Sequence, residues 1–161
     1  MFPLIRGLTY GTLFVGVLLV FVPARLLERS GVTGPATIGV VEVAGAAVTV
    51  LGALLALWCV VTFAFVGRGT PAPFDPPRRL VTGGPYRFVR NPMYVGAGLA
   101  LAGAAAFYRS LPLLAYTLLF GLVTHLFVVW YEEPTLRRLF GAEYDAYLRR
   151  VRRWWPRPNP G

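Results

Sequence analysis

The chain has 161 residues, 56% of them apolar and only 14% charged, where an ordinary soluble domain carries about a quarter charged. Its sixteen basic residues are all arginine against seven acids, a formal net charge of +9. These figures exclude a disordered chain, a disulfide scaffold and an ordinary cytosolic enzyme; the lone Cys59, set in an apolar run, offers neither a disulfide nor a cysteine metal site, and no metal is expected.

A membrane-spanning helix needs roughly 20 mostly apolar residues. Four charge-free intervals approach or exceed that length: Gly7–Ala24 (18 residues), Val43–Gly67 (25), Asn91–Tyr108 (18) and Ser110–Tyr131 (22). The first is long for a signal peptide and is followed by no small-residue cleavage site, so it reads as a retained helix. The prediction is an all-α integral membrane bundle of four transmembrane helices. It divides into two N-terminal helices over residues 1–66 and a unit over 67–161 that holds the polar clusters. Small residues on the second interval (Gly45, Ala46, Gly52, Ala53, Ala56) and the third (Gly96, Gly98, Ala100, Gly103, Ala104) predict that these two helices touch. The last two intervals should form a tight hairpin around Arg109, Ser110 and Pro112.

Four spans put both termini and the loop between the second and third spans on one side. That side carries thirteen of the sixteen arginines, which predicts a multi-pass protein with both termini cytoplasmic. Anionic lipid accounts for the basic excess, and no nucleic-acid partner is expected.

Three polar clusters fall on the same face. The loop Gly67–Arg90 is too rich in proline for regular helix and ends in the turn signal Thr82-Gly83-Gly84-Pro85-Tyr86. Next comes GPYRFVRNPMYVG, Gly84 to Gly96. Asn91 suits a helix N-cap and Pro92 the first helical position. Capping does not explain why Tyr86, Arg87, Arg90 and Tyr94 crowd the same helix start, where unpaired N–H groups and Arg90 would suit a carboxylate. The third cluster is His125 with Glu132 and Glu133, ionisable groups in or beside a span. After Pro134, apolar residues from Leu136 to Val151 recur at helical spacing. Arg137, Arg138, Arg149, Arg150, Arg152 and Arg153 lie mostly opposite, which predicts a C-terminal amphipathic interfacial helix.

Two of these segments carry a family pattern. GPYRFVRNPMYVG, then after a hydrophobic hairpin YEEPTLRRLFGAEYDAYLRRVRRWWP, resemble the integral membrane methyltransferases: isoprenylcysteine carboxyl methyltransferases and phospholipid N-methyltransferases. The likeness covers Gly67 to Pro156. Asn91 stands where the isoprenylcysteine enzymes usually carry His, and the Asn-Pro-Met-Tyr and Tyr-Glu-Glu-Pro spellings look closer to the phospholipid enzymes.

The resemblance implies S-adenosylmethionine (SAM) as methyl donor, bound at the cytoplasmic end of the last two helices, and a lipophilic acceptor reached from the bilayer. It implies a cofactor site of Arg90, Asn91, Pro92 and Tyr94 with Glu132 and Glu133 opposite, to which Tyr86 and His125 are added as neighbours. Glu133 and Arg87 are the catalytic candidates. A carboxylate acceptor would need no base; an amine acceptor would need Glu133 or His125 to take its proton. Two other readings compete: an NADPH-dependent membrane sterol-type reductase, which carries a similar Arg-His-Pro-x-Tyr segment, and a non-catalytic membrane scaffold.

Overall fold

The computed structural model describes residues 16–35, 37–63 and 79–157. A π-helical turn, Gly16–Phe21, runs into α1 (Val22–Arg29). There follow α2 (Val40–Thr62), a 3-10 turn (Gly84–Arg87), α3 (Pro92–Phe107) and α4 (Leu111–Phe127). A π-helical segment, Val128–Glu132, then leads without a break into α5 (Glu133–Arg150). The described residues contain no strand, only one isolated parallel bridge between Val89 and Arg152.

Among the described residues two helical runs are long and apolar enough to cross a membrane, Val40–Thr62 and Leu111–Arg150. The expected third span is the apolar but shorter α3, and the expected first span begins before the described residues. The proline-rich loop from Gly67 to Arg78, and with it the boundary expected at residues 66 and 67, also lies outside the described residues. Leu51, Leu54, Trp58, Leu118, Leu122 and Val123 point outward and are exposed, which in water would be a large unburied apolar surface and in lipid is an ordinary one.

The expected contact of the second and third apolar helices is the main seam of the fold. α2 and α3 run antiparallel, with Gly45 against Gly103 and Gly52 against Gly96. A Cβ on Gly52 would fall 2.5 Å from the Ala100 backbone nitrogen, and one on Gly103 would fall 2.5 Å from that of Thr49. Backbones this close leave no room for any side chain, and in lipid such close van der Waals packing is the chief force joining helices. On its other side α3 packs on α4 through Ala97, Leu101, Ala105, Leu113 and Phe120, and Leu18, Leu19 and Leu27 close that cluster from the first helical segment.

The α3–α4 hairpin is as tight as its residues imply. Arg109 takes a left-handed backbone with φ of 48°, and the Ser110 hydroxyl accepts from the Leu113 amide to cap α4. At the other end of α4 the outcome differs from expectation. Pro134 does not separate a span from a new helix. The π-helical segment shifts the hydrogen-bond register just before it, so the amide that proline lacks falls at the start of the next helical stretch. The helix bends instead at Gly141, with φ of 48° and ψ of −122°. It ends at Arg150, and Val151 turns extended and lays the next residues against Val89.

Candidate active site

The start of α3, the end of the final apolar run and the segment after α5 meet at one end of the bundle. The 3-10 turn delivers Tyr86, buried against Phe63, with the Tyr147 hydroxyl donating to its carbonyl at 2.6 Å. Burial pushes the Tyr86 phenol above its ordinary range, so it presents a neutral ring. The Arg90 amide donates to the Arg152 carbonyl at 2.9 Å, which ties the approach to α3 to the chain that leaves α5.

Glu133 lies at the centre of the charge cluster. Arg90 Nη1 is 3.2 Å from its Oε1, and Arg153 takes both oxygens, Nε to Oε1 at 2.7 Å and Nη2 to Oε2 at 2.8 Å. Two-point pairing of this kind is the strong form of the arginine–carboxylate contact. The Glu133 carboxylate in turn holds the Arg153 guanidinium above its ordinary value. The side chain of Arg90 is 12% exposed, and its Nε is buried with no hydrogen-bond partner, alone in this among the described side chains. Glu132, one residue earlier and the last of the π-helical segment, points to a different neighbour: the Tyr94 hydroxyl donates to its Oε2 at 3.2 Å.

Several expected roles change. Asn91 does not cap α3 with its side chain; its Nδ2 donates to the Arg153 carbonyl at 3.4 Å, because the returning C-terminal segment offers a nearby acceptor. Pro92 takes the first helical position as expected and is fully buried. Arg87 does not join the cluster: it is exposed, with its guanidinium 4.5 Å from the Phe88 ring centre. His125 is half-buried, and its Nδ1 accepts from Trp154 Nε1 at 3.1 Å. A ring nitrogen so engaged is not a ready proton acceptor. Glu133, held by two guanidiniums, is a poor base for the same kind of reason. Arg137 pairs with Asp145, away from the glutamates.

The residues missed by sequence reasoning are Arg153 and Trp154. Helical periodicity through Val151 assigns Arg153 to a solvated outer face, whereas the helix has already ended and Arg153 folds back onto Glu133. Trp154, a large aromatic set among arginines, is the signal that could have marked this point as packed, whereas Trp155 beside it is exposed.

The arrangement suits the carboxylate end of SAM: the buried Arg90 Nε lacks an acceptor, which that carboxylate would supply. Glu132, whose donor is the neutral Tyr94 hydroxyl, is the one of the two acids not held by a guanidinium.

A phospholipid methyltransferase family model matches residues 40–143. The chain is 32% identical over 95 residues to phosphatidylethanolamine N-methyltransferase B of Dictyostelium discoideum, covering 56% of this chain and 46% of that protein. It is 36% identical over 100 residues to the nickel-cobalt-cadmium resistance protein NccN of Alcaligenes xylosoxydans xylosoxydans, covering 60% of this chain and again 46% of the relative. The chain thus matches about half the length of these curated relatives.

Proposed function

This chain belongs to the phospholipid methyltransferase family, and from that premise we propose that it is a SAM-dependent membrane methyltransferase whose acceptor is the amine of a phospholipid headgroup. The observation that carries the reading is the meeting of the two family segments: Arg90 lies 3.2 Å from Glu133, and Tyr94 lies 3.2 Å from Glu132. Arg90 would hold the carboxylate of the donor through its free Nε, with the first turn of α3 behind it. Tyr86 and Tyr94 offer aromatic faces to a cation, a contact worth about 0.5–2 kcal/mol.

Bound SAM would supply an electrophilic methyl group on a sulfonium, with a neutral thioether as the leaving group. The protein must orient that methyl toward the acceptor and exclude water, which is where most of the rate of such a displacement comes from. A headgroup amine is protonated at neutral pH and must lose a proton before its nitrogen can attack. Glu133 is engaged by Arg90 and Arg153, and His125 by Trp154, so Glu132 is the group that takes that proton. Tyr94 fixes the orientation of its carboxylate. The four-span reading of the sequence puts thirteen of the sixteen arginines on the side of this cluster, which supports a cytoplasmic site, where SAM is available. The family match gives no support to the NADPH-dependent reductase, and the free Arg90 Nε argues for a ligand rather than a scaffold.

The test is incubation of the protein in native membranes with radiolabelled SAM, followed by separation of lipid from protein. Label in the phospholipid fraction is the expected result. Label confined to protein, or no S-adenosylhomocysteine binding by calorimetry on the purified chain, overturns the reading.

A further inference from the structure

Resting on the SAM reading, we propose that Arg153 is a positioning residue: by taking over Glu133 it leaves the Arg90 guanidinium uncompensated within their triad and so free for the donor carboxylate. The pair Arg90–Glu133 taken alone is neutral: one guanidinium and one carboxylate, each satisfying the other. Such a pair has no excess charge to offer an incoming carboxylate, and opening it would leave a poorly solvated carboxylate behind. Arg153 changes the count. It takes both oxygens of Glu133, at 2.7 and 2.8 Å, while Arg90 keeps a single longer contact at 3.2 Å. The triad carries one positive charge in excess, and that excess falls on Arg90, the member whose Nε has no partner.

The backbone around Arg153 holds it there independently of its own ion pair. The Arg152 carbonyl accepts from the Arg90 amide at 2.9 Å, the Arg153 carbonyl from Asn91 Nδ2 at 3.4 Å, and Trp154 Nε1 donates to His125 at 3.1 Å. Three consecutive residues after α5 are therefore fastened to the start of α3 and the end of α4. The guanidinium of Arg153 is presented to Glu133 by a segment that does not need that contact to stay in place. This separates an electrostatic role from a structural one and makes the two distinguishable by charge counting.

The experiment is calorimetric titration of S-adenosylhomocysteine into four full-length chains in the same bilayer mimic: wild type, Arg153→Gln, Glu133→Gln and the double variant Arg153→Gln/Glu133→Gln. Arg153→Gln leaves a neutral pair and should weaken binding at least about tenfold, the loss of one charge-assisted hydrogen bond. The double variant again leaves one uncompensated guanidinium, Arg90, and should recover most of the lost affinity, although it removes two ion-pairing groups. A structural clamp predicts the reverse, with the double variant no better than the single and a lower unfolding midpoint in both. Wild-type binding with Arg153→Gln unchanged, or a double variant as weak as the single, overturns the role of Arg153 and leaves the SAM reading intact. A wild-type chain that binds no S-adenosylhomocysteine overturns both.

Discussion

Each end of the bundle holds a glutamate facing arginine, and the two arrangements differ in kind. At the far end, Glu42 is 1% exposed and both its oxygens are used: the Gly39 amide donates at 2.8 Å and Arg109 Nε at 2.5 Å. One carboxylate meets one guanidinium, on a side chain that is 67% exposed, and one helix start, so the charges close on themselves. At the α3 end, one glutamate meets two guanidiniums, a second glutamate has only a phenol, and a buried guanidinium nitrogen is left over. A balanced pair fastens the α3–α4 turn to the start of α2. The α3 end leaves a buried polar atom without a partner, which supports the donor site proposed there, although the residue types at the two ends match.

The sharpest way to break this contrast is to neutralise one acid at each end. Glu132→Gln should reduce methyl transfer to phospholipid by about 100-fold or more, the usual scale of a lost general base, as read by the radiolabel assay. Glu42→Gln should leave transfer per folded molecule within about twofold while lowering the thermal unfolding midpoint. Equal losses of activity at the two ends would abolish the distinction.

The next effect is on the seam that holds the ends at their separation. Gly52→Ala places a Cβ 2.5 Å from the Ala100 nitrogen and should cost about 1–3 kcal/mol of stability by forcing α2 off α3. Denaturant titration in detergent, with Gly98→Ala as control because a Cβ there meets nothing within 4 Å, measures it. The smallest effect sharpens the site end alone: Tyr94→Phe removes one hydroxyl from Glu132 and should slow transfer by about three- to tenfold with little change in the unfolding midpoint.

Much of this was legible in the chain itself. The glycine stripes at Gly45, Gly52, Gly96 and Gly103 announce a close helix pair, because nothing else explains small residues at that spacing in an apolar run. Arg90, Tyr94, Glu132 and Glu133 stand out because polar groups at the end of a span need partners. What stayed hidden depended on contacts distant in sequence. Asn91 reads as a cap by local rules, yet it is drawn to a carbonyl 62 positions away. Arg153 reads as the outer face of a helix, because periodicity cannot say where a helix stops when the stop is set by pairing with Val89. The C-terminal helix expected after Pro134 is instead continuous with the preceding run, because local propensity takes no account of a register change in the turn before the proline.

That wide turn, Val128–Glu132, has a consequence for the two glutamates. It makes Leu111–Glu132 a phase-setting rod: each residue contributes about 100° of rotation in ordinary helix, and the widened turn alters the accumulated angle just before both acids. The side from which Glu132 sees Tyr94 and Glu133 sees Arg90 is therefore decided by an irregularity in the winding rather than by the acids themselves. Length changes anywhere between the hairpin and that turn would steer both carboxylates away from their partners while leaving every pairing group in the chain.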